Sequence, residues 1–553
     1  MNRGVGGWRA VADYLSGRSR RLRECRERWG VPQPERYRDF AAIAAYHRLT
    51  SDTSASLSDK TWHDLDMDAL YSRIENSVTP IGRQYLYRRL RTTATDQASL
   101  DSQSQVTEAL RQRTDLRETL QYHLLALTRP TADSLTTLLF DRPPNAAVSA
   151  LLVFSLSVLS LVAIVLTVVH PVWFPLLLAL LTVNFVITEK YSHGLYAYSQ
   201  GLSNLVTLLS VGLRLGRVPG ADDLPPLQAL RSQRATIRAL RQKFRLLAFV
   251  RAGTNDLVNT LSFYLNVLCL LDLVVFLGSI RNLNRHREAL VVVFEEVASV
   301  DAALSVGSYL ESVRAWCRPV LARDAGLRLE DAYHPLLQDP KVNSIHVLDE
   351  SVLVTGTNMA GKTTFIKTVG VNVLLGQTIG ICHARAAGFE RYSVHASIRR
   401  QDSLAQGKSY YLVEIEEILA FLQPREAGRP RPLLLIDEIF RGTNTIERIA
   451  ASATVLRALA STNTVFVTTH DVELQGLLAN YRMCHFRETP DLDQIFDYQL
   501  REGPSDARNA IKLLGLLGYP RELVDQAQDL AGQLDARKLE LTEGPPRTPT
   551  PKP

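Results

Sequence analysis

Three short segments of this 553-residue sequence carry the residue types that handle phosphate. In Thr355-Gly-Thr-Asn-Met-Ala-Gly-Lys-Thr-Thr364 the spacing fits G-x-x-x-x-G-K-S/T. Gly356 and Gly361 let the backbone wrap closely around phosphate oxygens. Thr357, Asn358, Met359, Ala360 and Thr364 complete the loop. Lys362 reaches the β/γ oxygens, and the Thr363 hydroxyl is placed to ligate Mg²⁺. The apolar run Val352–Val354 predicts a strand that delivers this loop, and Phe365–Leu375 predicts a helix whose unpaired N–H groups face the phosphates.

Pro432-Leu-Leu-Leu-Ile-Asp437-Glu438 is a continuous apolar run ending in two carboxylates, as when a buried parallel strand presents acids at its C-terminal edge. Asp437 suits the Mg²⁺ shell, and Glu438 suits orienting or deprotonating an attacking water. A third run, Thr464-Val-Phe-Val-Thr-Thr469, ends in His470, where a neighbouring strand would place a γ-phosphate sensor.

These segments, with Asp437-Glu-Ile-Phe-Arg-Gly-Thr-Asn-Thr445 and Thr469-His-Asp-Val-Glu-Leu474, resemble in order the ATPase motifs of the MutS mismatch-repair family. Between them, Asp402-Ser-Leu-Ala-Gln-Gly-Lys-Ser409 followed by Val413-Glu414 is similar to that family's signature segment. His334-Pro335-Leu336 and Gly503-Pro-Ser-Asp506 are similar to further landmarks. The resemblance implies an α/β P-loop ATPase domain of ABC/MutS type with a mostly parallel sheet over 325–535. It also implies ATP and Mg²⁺ as cofactors and a homodimer in which Ser409, with Gly407 and Lys408 beside it, reaches the partner's nucleotide. Catalytic roles then fall to Glu438, His470 and Lys362, and metal binding to Thr363 and Asp437.

Upstream, Asp64–Leu70 and Asn76-Ser-Val-Thr-Pro-Ile-Gly82 resemble the start of the family's all-α core and lever region. Thr79 predicts a helix cap with Pro80 in the first position, and Ile81, Leu86 and Leu90 share one face. Phe294–Val320 resembles the helices returning to the ATPase. About 60 residues precede the core, too few for the mismatch-reading and connector domains. The family's Phe-x-Glu reader has one match, Phe294-Glu295-Glu296, within a predicted helix, and it reads as accidental.

Ala146–Val169 holds 24 residues without a charge, and a second uncharged run spans Val172–Thr188. At about 1.5 Å per residue these reach roughly 36 and 25 Å, against a bilayer core of about 30 Å. They predict a transmembrane hairpin over 146–188 with both flanks cytoplasmic, supported by Arg142, Lys190 and the basic first 30 residues. Leu257–Ile280 carries Asn259, Asn266 and Asp272 and reads as a buried core helix, with pairing to Leu202–Leu215 as a second hairpin the alternative.

The net charge of +6 is uneven. Arg18, Arg20, Arg21, Arg23, Arg26 and Arg28 crowd the N-terminus. Arg231, Arg234, Arg238, Arg241, Lys243 and Arg245 accompany an apolar helix face of Leu227, Leu230, Ile237, Leu240, Phe244 and Leu247. Either patch suits DNA phosphates or anionic lipid. Five scattered cysteines lack metal-ligand spacing and suit a reducing cytoplasm, and no cleavable signal peptide is visible.

The expected domain order is a basic helical segment (1–60), first core part (61–145), hairpin (146–188), second core and lever part (189–324), ATPase domain (325–535) and a disordered Pro-rich tail (536–553). The expected protein is a plasma-membrane ATPase that binds DNA without reading mismatches. The alternative is a mechanochemical membrane protein acting on a protein or lipid. A transporter fits less well, because two short spans leave little room for a substrate path.

Overall fold

The computed structural model describes residues 18–32, 38–50, 56–93, 96–128, 134–141, 149–249, 264–265, 267–322, 326–357, 360–398, 410–423, 428–487, 496–505, 511, 514–515 and 518–543. The chain divides into two compact units. The first comprises Met1–Leu57, Asp66–Trp316 and Leu374–Ile381, and the second Ser58–Leu65, Cys317–Val373 and Cys382–Pro553.

The first unit is helical. Helix α1 (Pro80–Arg91) starts as the sequence predicts: the Thr79 hydroxyl accepts from the Gly82 N–H at 3.1 Å, with Pro80 in the first turn. Ile81, Leu86 and Leu90 are fully buried. The long helix α7 (Arg287–Ser312) supplies what the sequence does not show, the buried carboxylate of Asp301. It accepts from the N–H groups of Val78 at 2.8 Å and Thr79 at 2.7 Å, and from the Thr79 hydroxyl at 2.6 Å. Gly82 is obligatory here, because a Cβ would lie 2.2 Å from Asp301 Oδ2. Phe294 is buried against the rings of Tyr46 and Phe140, so the Phe of Phe294-Glu295-Glu296 is a core residue of α7.

Helix α3 (Ala150–Val169) and helix α4 (Phe174–Leu215) form a hairpin through a 3₁₀ turn at Pro171–Trp173. Leu151–Val169 and Pro171–Lys190 are long and apolar enough to cross a membrane. Their apolar side chains point outward: Leu151 is 75% exposed and Val168 82%. Several polar groups, Ser157, Ser160, Asn184 and Thr188, are instead buried. Fully buried Asn184 donates through Nδ2 to Ser160 Oγ at 3.0 Å and to the Leu268 carbonyl at 3.2 Å, and Ser157 Oγ donates to the Cys269 carbonyl at 2.6 Å. This inverts the soluble pattern, in which the polar stripe faces water.

Two boundaries differ from expectation. α4 runs on past Thr188 for 42 residues in all, because Glu189 and Lys190 interrupt the hydropathy but not the helix. Leu202–Leu215 is therefore the far half of α4, with Leu205, Leu208 and Leu209 in the buried core, and not one arm of a second hairpin. In Leu257–Ile280, helix α6 (Leu271–Arg285) begins only after Leu270, which takes a left-handed φ of 46°. Asn259, Asn266 and the side chain of Asp272 lie outside the described residues.

The basic segments also resolve into parts. Arg26 bonds Glu118 at 2.7 Å and Arg20 bonds Glu24 at 3.0 Å, so the N-terminal patch is partly neutralised. The second patch spans two helices, Pro225–Ser232 and α5 (Arg234–Phe249). Arg234, Arg238 and Arg245 are exposed, while Ile237, Leu240 and Phe244 are buried. Leu247 lies outside the residues whose side chains are described.

The second unit is built on two sheets. Strands β1 (Val320–Leu321), β2 (Leu327–Ala332), β3 (Asn343–Val347) and β5 (Ala386–Phe389) pair in the order β1-β5-β2-β3. The larger sheet has the order β10-β9-β4-β8-β7-β6, from β4 (Ser351–Thr355), β6 (Tyr392–Ser397), β7 (Arg431–Asp437), β8 (Thr464–Thr469), β9 (Tyr481–His485) and β10 (Arg501–Glu502). All its pairs are parallel except β9 with β10. β4 and β8 are buried along their whole length, which accounts for their unbroken apolar sequences. Helix α8 (Lys362–Thr378) follows β4, and Gly370 permits its close packing, since a Cβ there would lie 2.3 Å from Leu435 Cδ1. All five cysteines are free thiols.

Replacing Asp301 by Ala leaves three donors at the start of α1 without their acceptor. The expected loss is about 3 kcal/mol or more of stability, because each unsatisfied buried donor costs about 1–3 kcal/mol. Thermal unfolding of the full chain followed by far-UV circular dichroism checks it: an unchanged midpoint would remove Asp301 from this role.

Candidate functional site

Parallel pairing sets the site. Thr355 on β4 lies opposite Thr469 on β8, and Thr468 lies opposite Asp437 on β7, so three adjacent strands end at one level. The loop after β4 turns on Gly356 (φ 139°) and Gly361 (φ 105°), both closed to larger residues. A Cβ on Gly356 would lie 2.6 Å from the Phe486 carbonyl, and one on Gly361 3.3 Å from the Tyr498 ring.

Lys362 opens α8, and its side chain folds back under the loop. Nζ donates to the carbonyls of Gly356 at 2.6 Å and Thr357 at 2.9 Å, and stands 3.4 Å from both ring nitrogens of His470. Burial brings its ammonium down to about 8, against the opposing pull of Glu438 and Asp437. Ala360 is buried and Thr364 exposed. Asn358 and Met359 lie outside the described residues.

The two adjacent carboxylates have different surroundings. Asp437 is held by hydroxyls: Thr363 Oγ1 donates to it at 3.0 and 3.1 Å, and Thr468 Oγ1 also donates. Glu438 is held by an imidazole and a guanidinium, with Oε1 2.5 Å from His470 Nε2 and Oε2 2.9 Å from Arg441. Burial raises its pKa, but His470, Arg441 and Lys362 together outweigh that and leave it lowered. The side chain is therefore a carboxylate at neutral pH.

The turn after Asp437 is strained. Glu438 and Phe440 both take left-handed φ values, 58° and 56°. Two hydrogen bonds hold it: Glu438 N–H donates to the Thr468 carbonyl at 3.1 Å, and Phe440 N–H donates to Glu414 Oε1 at 2.6 Å. Glu414 comes from helix α9 (Tyr410–Phe421). Asp471, next to His470, is clamped by Arg448 at 2.6 and 2.8 Å.

The structure brings Gly356, Gly361, Lys362, Thr363, Asp437, Glu438 and His470 together. It adds Thr468, Arg441 and Tyr498, which the sequence reading did not assign. Thr468 had a legible signal, since it immediately precedes Thr469-His470 on a predicted strand. Tyr498 had none. Ser409, Gly407, Lys408 and Asp506 lie outside the described residues.

The residues fit a magnesium–polyphosphate group. One carboxylate and one hydroxyl about 3 Å apart are a typical protein share of Mg²⁺ coordination. The buried Thr357 hydroxyl, on the same loop, has no hydrogen-bond partner among the described residues. A bound phosphate oxygen would satisfy it.

The MutS domain V profile matches residues 352–535. The chain is similar to the DNA mismatch repair protein MutS of Thermus aquaticus, at 29% identity over 58% of this chain and 38% of that protein. Against the MutS protein of one Thermus thermophilus strain the identity is 31%, over 48% of this chain and 33% of that protein. Against MutS of Granulibacter bethesdensis it is 29%, over 49% and 31%. The matches thus cover between 31% and 38% of these three relatives. The glycine loop, the paired carboxylates and His470 all lie inside the matched region, so residues 352–535 carry the features of a MutS domain V.

Proposed function

We propose that the protein is a membrane-anchored ATPase of the MutS family, with a P-loop domain that closes as a homodimer around ATP and Mg²⁺. The observation that carries this reading is the convergence of Lys362, the Thr363–Asp437 pair and the Glu438–His470 pair at the ends of three neighbouring parallel strands. Lys362 binds the phosphates. Thr363 and Asp437 would hold Mg²⁺, which would supply positive charge to offset that of the phosphate oxygens. Glu438 aligns and deprotonates the attacking water, and His470 fixes the carboxylate's direction. Ser409 of each subunit supplies the trans contact to the other's nucleotide.

The relatives' names point to mismatch repair, and the exposed arginines of α5 give DNA phosphates a surface to meet. The outward apolar face of the α3–α4 hairpin supports the membrane anchor. That same face favours a second reading, in which ATP-driven motion acts on a membrane protein or lipid. Steady-state hydrolysis by the reconstituted chain, with and without duplex and branched DNA at two salt concentrations, separates them. Stimulation that fades at high salt is expected for DNA processing. Activity that ignores DNA but responds to anionic lipid would establish the membrane reading instead.

Glu438→Gln keeps the shape of the site but removes the base. It is expected to bind ATP normally and to slow single-turnover hydrolysis by about 100-fold or more. Wild-type turnover would take the role from Glu438.

The lowered pKa of Lys362 predicts a pH dependence. Bound phosphates favour the charged amine, so binding takes up a proton once the free protein's Lys362 is neutral. ATP affinity is then constant below about pH 7 and falls as pH rises through 8, by roughly tenfold at pH 9. Titration calorimetry in buffers of different ionisation enthalpy reads both the affinity and the proton, and a pH-independent affinity would contradict the assignment.

A further inference from the structure

Arg89 stands on α1 with a buried guanidinium. Neither Nε nor Nη2 reaches a hydrogen-bond partner among the described residues. Its neighbour Arg88 has a counter-ion: it pairs with Glu295 at 3.9 Å and lies over the Tyr46 ring at 5.0 Å, although its Nε also lacks a hydrogen-bond partner among the described residues. Tyr46 donates to the same Glu295 at 2.6 Å, so that carboxylate is already engaged. Glu296 is pushed up to about 7 by burial and by Glu295, which weakens it as a counter-ion. Burial lowers the Arg89 pKa, and the ionisable groups acting on it are Tyr85 and Arg88, with no carboxylate among them. A buried cation left without an anion is strongly unfavourable.

Arg89 borders a cleft. Residues of α1, of helix α2 (Gln97–Gln112) and of α7 line it, with Pro226 and Ile379 also on its wall. Beside Arg89, most of the wall is apolar, including Leu86, Val106, Ala303 and Val306. The hydroxyls of Thr107 and Ser299 donate to carbonyls of their own helices, at 3.0 and 2.9 Å. Arg89 is thus the lining group with charge to offer. A planar fork of donors at the edge of an apolar wall matches one class of ligand, an oxyanion carried on a short hydrocarbon body.

We propose that this cleft binds a small amphiphilic anion, with a carboxylate or phosphate-monoester head on Arg89 and its apolar body against Leu86, Val106, Ala303 and Val306. The site lies wholly within the helical unit and does not depend on the nucleotide reading.

The test uses the full chain in amphipol with saturating ADP and Mg²⁺, so that the phosphate loop does not compete. Titration calorimetry is run with hexanoate, with hexyl phosphate and with the neutral isostere hexanamide. Saturable binding of at least one anion, at least roughly tenfold tighter than hexanamide and weakened about as much by Arg89→Gln, is the expected result. Whichever anion binds more tightly identifies the head group. Arg89→Gln should unfold no earlier than the wild type without ligand, because it removes an uncompensated charge. Should that variant fail to fold, Ala303→Leu, which fills the cleft, is expected to abolish anion binding instead. Equal binding of hexanoate, hexyl phosphate and hexanamide, no binding of either anion, or full anion affinity in the variant that folds would overturn the proposal.

Discussion

The register of β4, β8 and β7 is the constraint on which the candidate site rests. Parallel strands advance together, so placing Thr355 against Thr469 and Thr468 against Asp437 fixes where each chain leaves the sheet. A shift of one residue on β7 would turn Asp437 to the other face and separate it from Thr363. Complete burial of β4 and β8 resists such a slip, because each apolar side chain would lose its packing. Order in the sheet thereby becomes precision at the carboxylates.

The same site shows how neighbouring acids acquire different chemistry. Asp437 and Glu438 are consecutive, yet the left-handed φ of Glu438 sends its side chain to His470 and Arg441 while Asp437 stays among hydroxyls. Glu414 holds the next part of this turn through the Phe440 N–H. Strain is kept in place by specific partners rather than by the turn residues' own preferences.

Much of this was legible in the sequence where one local rule governs one segment. The glycine loop, Asp437–Glu438 and His470 each close an apolar run, and the Thr79–Pro80 start of α1 is a cap and a first-turn proline in succession. What was not legible depends on contacts remote in sequence. Asp301 meets Thr79 across 222 residues, and nothing near either one announces the other. Arg441 becomes a site residue only once the geometry of the turn after Asp437 is fixed. The extent of α4 was missed for a different reason: hydropathy stops at Glu189 and Lys190, whereas helix propensity does not.

That continuity gives the helical unit a mechanical property. α4 is a single rod of 42 residues, about 63 Å long, with no proline after Pro175 to act as a hinge. Its first half exposes an apolar surface and its second half is embedded in the helical core. A tilt of about 5° at one end displaces the other by about 5 Å, as follows from that length. Small rotations of the core are therefore geared up along the rod, and a lateral force on the hairpin returns to the core as torque.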